Sequence, residues 1–285
     1  MKLTNERAEL YVPDGKPAAD ALARTTVMGI GAHQDDLEIL AYNGILQAFG
    51  RNDEWFLATV VTNGSGSARA GIYADYTDEE MCDVRRAEQK KAAVVGEYTA
   101  AALLDYPSSA VKDAANPGPV SDLVALLRAA KPRTIYTHNL TDKHDTHVAV
   151  ALRVIRALRM LDEDERPDAL YGCEVWRDLD WLCDEDKTPL RVDAHENLAA
   201  SLLGVYDSQI AGGKRYDLAT MGRRRANATF FASHDVDDSE GLTFAVDMTP
   251  LIADPTLEPI DFTLGYIRRF TDEVTARITK FAAGS

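Results

Sequence analysis

His33, Asp35 and Asp36 stand together in the run Gly31-Ala32-His33-Gln34-Asp35-Asp36-Leu37-Glu38. An imidazole and a carboxylate three positions apart can close on one cation in a tight turn, which leaves Asp35 free for another task. A second cluster, Asn139-Leu140-Thr141-Asp142-Lys143-His144-Asp145-Thr146-His147, adds further imidazoles. His33 and His147 could give two nitrogens and Asp36 one oxygen to a divalent ion, with one coordination position left for water. Structural zinc sites are usually closed by four protein ligands, whereas catalytic ones keep a position open, so this set suits catalytic zinc.

Each cluster follows a segment that reads as a buried strand. Thr25–Ala32 is short, β-branched and apolar, as expected of a central parallel strand. Leu37, Ile39, Leu40, Ile45 and Leu46 then carry an apolar face through good helix formers. Pro132-Arg133-Thr134-Ile135-Tyr136-Thr137-His138 reads as another strand, with Val148, Val150, Ala151, Val154, Ile155 and Leu158 marking the helix beyond the second cluster. In open α/β sheets ligands bind at the carboxyl ends of the strands, where two such corners can converge.

The run His33-Gln34-Asp35-Asp36-Leu37-Glu38 resembles the AHPDDxE signature of the PIG-L/LmbE-like family of zinc-dependent N-acetyl-sugar deacetylases. Asp142-Lys143-His144-Asp145-Thr146-His147 resembles that family's DxHPDH signature. Val84-Arg85-Arg86-Ala87-Glu88 is similar to its RxxE helix. Tyr171-Gly172-Cys173-Glu174-Val175-Trp176 and Tyr206-Asp207-Ser208-Gln209 are similar to its later landmarks. The resemblance implies His33, Asp36 and His147 as ligands of Zn2+ (or Fe2+), Asp35 as general base, and His144 as oxyanion stabiliser and acid. It also implies substrate contacts at Arg85 and Ser108, with Gln34, Asp142 and Asp145 supporting the centre from behind. His138 ends its strand beside the site, as a substrate contact, a supporting partner or a structural histidine. Such a metal acidifies bound water and polarises an amide carbonyl. Asp35 could take the proton, and a cationic His144 would face the developing negative charge. Three departures bear on substrate identity and on the support of the centre: Gln34 replaces a proline, Asp145-Thr146 replace Pro-Asp, and Ser108 stands where the family often carries a sugar-binding acid.

Strands are predicted at Thr25–Ala32, Trp55–Thr62, Ala100–Leu104, Arg133–His138 and Leu170–Val175. Helices are predicted between them at Asp36–Phe49, Asp78–Val95, Ser121–Ala130 and Thr146–Met160. That alternation predicts an α/β fold: a single Rossmann-like domain with a mostly parallel sheet flanked by helices. Residues 1–24 read as a lead-in, 25–191 as the metal-binding catalytic core, and 192–285 as a C-terminal α+β extension packed on that core within the same domain. In the extension, Asn197–Val205, Tyr216–Phe230 and Phe262–Phe281 read as helices and Leu242–Met248 as a strand. Arg223–Arg225 reads as a solvated helix face, and His195 and His234 as surface residues. Gly29-Ile30-Gly31 opens like a dinucleotide fingerprint, but Gln34 occupies the third glycine's place.

With 285 residues the chain can bury one sizeable core. A net charge of −15 argues against nucleic acid and anionic membranes as partners. Cys82, Cys173 and Cys183 are too scattered for a disulfide framework, and neither a signal peptide nor a membrane span is recognisable, so a cytoplasmic protein is expected. The expected function is a zinc-dependent deacetylase acting on a small N-acetylated sugar or glycoside of the N-acetylglucosamine type. A homo-oligomer is implied by the resemblance alone. The alternatives are an amidase on a bulkier acyl or thiol conjugate, and a non-catalytic metal-dependent sugar-binding module.

Overall fold

The computed structural model describes residues 1–232, 234 and 236–282. Its strands are β1 (Glu9–Tyr11), β2 (Val27–Gly31), β3 (Phe56–Thr62), β4 (Ala100–Tyr106), β5 (Thr134–His138), β6 (Ala169–Cys173), β7 (Thr188–Arg191) and β8 (Leu242–Asp247). They form one sheet in the order β1-β4-β3-β2-β5-β6-β8-β7. From β4 to β6 all neighbours are parallel. The pairs β1–β4, β6–β8 and β7–β8 are antiparallel.

Every residue of β2, β3 and β4 is buried, which is why these strands read as continuous apolar runs rather than alternating ones. Successive side chains enter opposite cores: Met28, Ile30 and Leu57 go to one, Val27, Phe56 and Ala58 to the other. The helices covering the first half of the sheet are α1 (Ala18–Ala23), α2 (Asp36–Leu40), α3 (Tyr42–Ala48), α4 (Asp78–Val95), α5 (Ser108–Lys112), α6 (Gly118–Ala130) and α7 (Asp145–Arg159). The remainder are α8 (Glu196–Gly204), α9 (Asp207–Ile210), α10 (Tyr216–Phe230), α11 (Pro250–Ala253) and α12 (Pro259–Ala282). Leu123 and Leu127 of α6 and Val150 and Val154 of α7 fill one core. Leu37, Ile45, Ala92 and Leu202, from α2, α3, α4 and α8, fill the other.

Some elements differ from the expectation. The helix predicted over Asp36–Phe49 breaks at Ala41 (φ −110°) into α2 and α3. The lead-in carries β1 and α1, and β7 joins the sheet although it contains Pro189. That proline is tolerated because β7 lies at the sheet's edge. Among the described residues no helix is long and apolar enough to cross a membrane.

From β2 the chain moves one way to β3 and β4, then returns to β2's other side with β5 and β6. The order therefore reverses between β2 and β5, where an open α/β sheet leaves a crevice at its carboxyl edge. Both histidine-containing corners leave the sheet there. Gly29 lets α2 lie close to β2: a Cβ at this position would stand 2.7 Å from Phe56 Cζ and 3.0 Å from Leu37 Cδ2.

Candidate metal centre

The two corners are stitched together before any side chain reaches the cavity. Ala32, just past β2, donates its N–H to Nε2 of His138 at the end of β5 (2.8 Å). His33 N–H donates to Asp36 Oδ2 (2.6 Å), which folds the Asp36 carboxylate back over the turn. Asp35, between them, takes a left-handed conformation (φ 89°). Its carboxylate goes to Arg85 rather than to the histidines.

Three candidate ligand residues meet at the crevice, Asp36 with both carboxylate oxygens. His33 Nδ1 lies 3.2 Å from His147 Nε2 and 3.3 Å from Asp36 Oδ2, and Asp36 Oδ1 lies 3.4 Å from His147 Nε2. Tetrahedral zinc with N and O ligands at their usual lengths spaces its donors about 3.4 Å apart. The set fits such an ion. Burial pushes the His147 imidazole down to about 4, against the pull of Asp36, so the ring is neutral near neutral pH and its lone pair is available. Burial opposes ionisation of Asp36, yet His147 and His138 hold its carboxyl well below the usual range. His147 Nδ1 faces Asp142 Oδ2 (3.3 Å), the contact that turns Nε2 toward the other donors. Asp142 also accepts the N–H groups of His144 (3.0 Å) and Trp176 (3.1 Å).

Two further imidazoles crowd the centre. His138 is fully buried, stacked on His147 with ring centroids 3.9 Å apart. Its Nε2 is 3.3 Å from Asp36 Oδ2. The Ala32 N–H already occupies that lone pair, so His138 supports the ligands and lies behind the cavity wall. His144 stacks on His147 at 4.5 Å, and its Nδ1 is buried with no hydrogen-bond partner among the described residues. His33, His144 and His147 each bring a nitrogen within 4.8 Å of the others, so His144 stands where it could also touch a bound ion. Burial, and then the neighbouring His33, push the His144 imidazole below its ordinary value. That shift works against the expected cation.

Behind Asp35 lies a buried ionic network. Arg85, on α4, donates from Nη2 to Asp35 Oδ2 (2.8 Å) and to the Gln34 carbonyl. From Nη1 it donates to Glu88 Oε2 (2.9 Å) and Ser208 Oγ (3.2 Å). Both terminal nitrogens of its guanidinium are thus engaged by protein groups, while Nε is buried with no hydrogen-bond partner among the described residues. Burial pushes the Asp35 carboxyl up to about 7 while the Arg85 charge works against that rise. Gln34 is buried and donates from Nε2 to the Thr62 carbonyl (3.1 Å), tying the turn to β3. Gly64 (φ +75°) carries the next loop over both: a Cβ there would lie 2.6 Å from Gln34 Oε1 and 2.9 Å from Arg85 Cγ.

The site opens into a cavity of about 520 Å³. His33, Asp35, Asp36, Arg85, Ser108 and His144 line it; His147, His138, Gln34 and Asp142 lie behind its wall. Asp145 does not join them, being exposed in the first turn of α7, whereas the buried Thr146 beside it lines the cavity. Sequence reasoning missed the outer wall: Lys112, Lys214, Tyr216, Thr220 and Arg223, together with a direct place for Trp176. Tyr216, Thr220 and Arg223 recur at four- and three-residue steps on one face of α10, a spacing that could have revealed them. The arginine run divides by role. Arg223 lines the cavity, buried Arg224 donates to the Glu38 (2.8 Å) and Ile39 (3.3 Å) carbonyls, and only Arg225 is an exposed ion-pair partner, of Glu196.

The family model described as PIG-L: GlcNAc-PI de-N-acetylase matches residues 28–158, a span holding both corners and the Arg85 helix. No curated protein matches the chain in sequence. Among solved structures, the N,N'-diacetylchitobiose deacetylase of Pyrococcus horikoshii is 15% identical with a TM-score of 0.57, over 78% of this chain and 84% of its own. The A40926 pseudoaglycone deacetylase Dbv21 is 16% identical with a TM-score of 0.57, over 79% and 97%. GalB, the 4-carboxy-2-hydroxymuconate hydratase of Pseudomonas putida KT2440, is 14% identical with a TM-score of 0.56, over 79% and 95%. At such identities these likenesses establish the fold alone.

Proposed function

We propose that this chain, whose residues 28–158 match the PIG-L family model, is a metal-dependent hydrolase removing the acetyl group from an N-acetylated amino sugar or related small glycoside. One observation carries the reading: His33, Asp36 and His147 approach one another at 3.2–3.4 Å, Asp36 facing each imidazole with a different carboxylate oxygen, beside a carboxylate that none of them uses. The fold by itself does not decide the reaction, since it is shared by deacetylases and a hydratase.

His33, Asp36 and His147 would hold a divalent ion, Zn2+ or Fe2+ by the nature of the donors, which would supply Lewis acidity toward an amide carbonyl and lower the pKa of water. Asp35, fixed by Arg85, accepts the proton of the attacking water as the new C–O bond forms, and returns it to the nitrogen as the C–N bond breaks. His144 donates an N–H toward the carbonyl oxygen while negative charge gathers there. Acetate and a free amine are the products. A non-catalytic sugar-binding module would need neither the isolated base nor the donor.

The test is metal analysis of the purified protein combined with amine release from a panel of N-acetyl amino sugars. One divalent ion per chain and metal-dependent amine release are expected. Protein that binds no metal, or releases no amine from any member of the panel when loaded, overturns the reading.

A further inference from the structure

We propose that two copies of this chain associate through α12, the two helices packed antiparallel along an apolar stripe that the fold leaves uncovered. The proposal stands apart from the deacetylase reading and holds or fails without it.

The stripe is a second apolar face on a helix that already has one. Phe262 and Tyr266 pack α12 against the core, the Phe270 ring lies 6.0 Å from that of Trp181, and Arg269 pairs with Asp186 (2.7 Å). About a third of a turn round the same helix, Ile260, Ile267, Val274 and Phe281 recur at intervals of seven, with Leu264 and Ile278 beside them. Ile260, Ile278 and Phe281 are 62%, 63% and 75% exposed, and Ile267 is 40%. Residues 275–281 are all exposed, so the end of the helix stands clear of the body. Single exposed apolar residues are ordinary, but a continuous row of them marks an interaction surface.

Repeat and charge together make the occupant a second copy. A strict seven-residue apolar repeat is the pattern by which two helices wind round each other. When α12 is overlaid in full on an antiparallel copy, Ile260 stands level with Phe281 of the second copy and Ile267 with Val274, so the row complements itself. A net charge of −15 opposes association of two copies over most of the surface, whereas α12 carries four basic residues against three acidic ones. Arg268 and Asp272 lie one turn apart on the same flank of the stripe. Antiparallel packing about a two-fold axis brings like flanks together, so Arg268 of each copy meets Asp272 of the other and the pair is made twice. Parallel packing brings unlike flanks together and forms no such pair, and it aligns the helix dipoles unfavourably.

The experiment is sedimentation equilibrium of the full chain over about 1–100 μM. Two helices about 36 Å long give a contact at the small end of specific interfaces, so a monomer–dimer equilibrium with a Kd of about micromolar order is expected. Ile267→Asp and Ile278→Asp each bury an unpaired charge in the contact and should weaken it by about 100-fold. Ile278 lies where the helix stands clear of the body, so its variant stays informative even where Ile267→Asp loosens α12; far-UV circular dichroism checks both. Arg268→Glu and Asp272→Arg each set two like-charge pairs across the two-fold axis and should each weaken the dimer by about tenfold. An equal mixture of these two variants should recover the parental affinity, because each then meets the opposite charge on the other.

A parent chain that stays monomeric at about 100 μM overturns the proposal, and its co-sedimentation with anionic lipid vesicles would then assign the stripe to a membrane surface. An oligomer that survives both isoleucine variants is built on another face and overturns it equally. A mixture of the two charge variants that associates no more tightly than either alone removes the antiparallel arrangement, and with it the argument for a second copy.

Discussion

Asp35 and Asp36 are adjacent in sequence and are driven in opposite directions by their surroundings. Both are buried, but Asp36 faces His147 and His138 and is held well below the usual carboxylate range, while burial pushes Asp35 up to about 7. Carboxylates so separated take different roles, one permanently anionic and suited to a cation, the other poised to take up a proton. Asp35→Asn should therefore keep its metal and lose about 10²–10⁴-fold in kcat, the usual share of a general base. A metal-free variant would show that Asp35 is a ligand. His144→Ala separates two roles open to that ring. As a donor it can be lost with metal content intact and kcat lowered by about 10²–10³-fold; loss of the ion together with the ring would make it a ligand. Arg85 neutralises Asp35 and Glu88. Arg85→Met leaves buried carboxylates unpaired and should destabilise the fold by about 3–5 kcal/mol in denaturant titrations. A variant as stable as the parent would contradict that network.

At the scale of elements, the centre exists because two strand-to-helix corners leave the sheet where its order reverses. That much was legible: the residue types at both corners, the apolar strand runs before them and α4 over Asp78–Val95 all follow from pattern. What stayed hidden has physical reasons. β1 has three residues and β7 four, too short for a period-two signal, and β7 contains a proline. The cavity wall on α10 is polar, so its stripe of Tyr216, Thr220 and Arg223 looks like a solvated face until the sheet is in place. The resemblance put Asp142 behind the centre but could not say which segments it joins. In the fold it binds His147 from behind and takes the N–H groups of two segments, joining the second corner to the strand end at Trp176. Asp142→Ala should weaken metal affinity by about 10–100-fold, the usual effect of removing a carboxylate behind a ligating histidine. Competition with a chromogenic chelator would measure it, and an unchanged affinity would mean that His147 is oriented by packing alone.

Over the whole molecule, the C-terminal segments are integral to the sheet that carries the centre, and Glu174 is the residue that binds them. Lying just past β6, its carboxylate accepts from Asn227 on α10, from the Phe244 N–H on β8 (3.1 Å) and from the Leu179 N–H (3.0 Å). Burial pushes this carboxyl above its free value of 4.5, with the Phe244 bond and the Arg223 charge opposing the rise. The folded chain thus holds this proton more tightly than the unfolded chain does. Stability from this group is full below about pH 4.5 and is lost as pH climbs through the raised folded value, because there the folded state binds more protons than the unfolded. Glu174→Gln removes the ionisation while keeping one oxygen for two of the three donors. Urea titrations of parent and variant, at steps from about pH 4 to 7, isolate the effect, since the metal-centre histidines titrate equally in both and cancel in the difference. The parent's advantage over the variant should shrink steadily as pH rises. An advantage that is flat or grows across that range would mean that the three donors, rather than burial, govern Glu174, and that the joint between β6, β8 and α10 is held by a carboxylate ionised throughout.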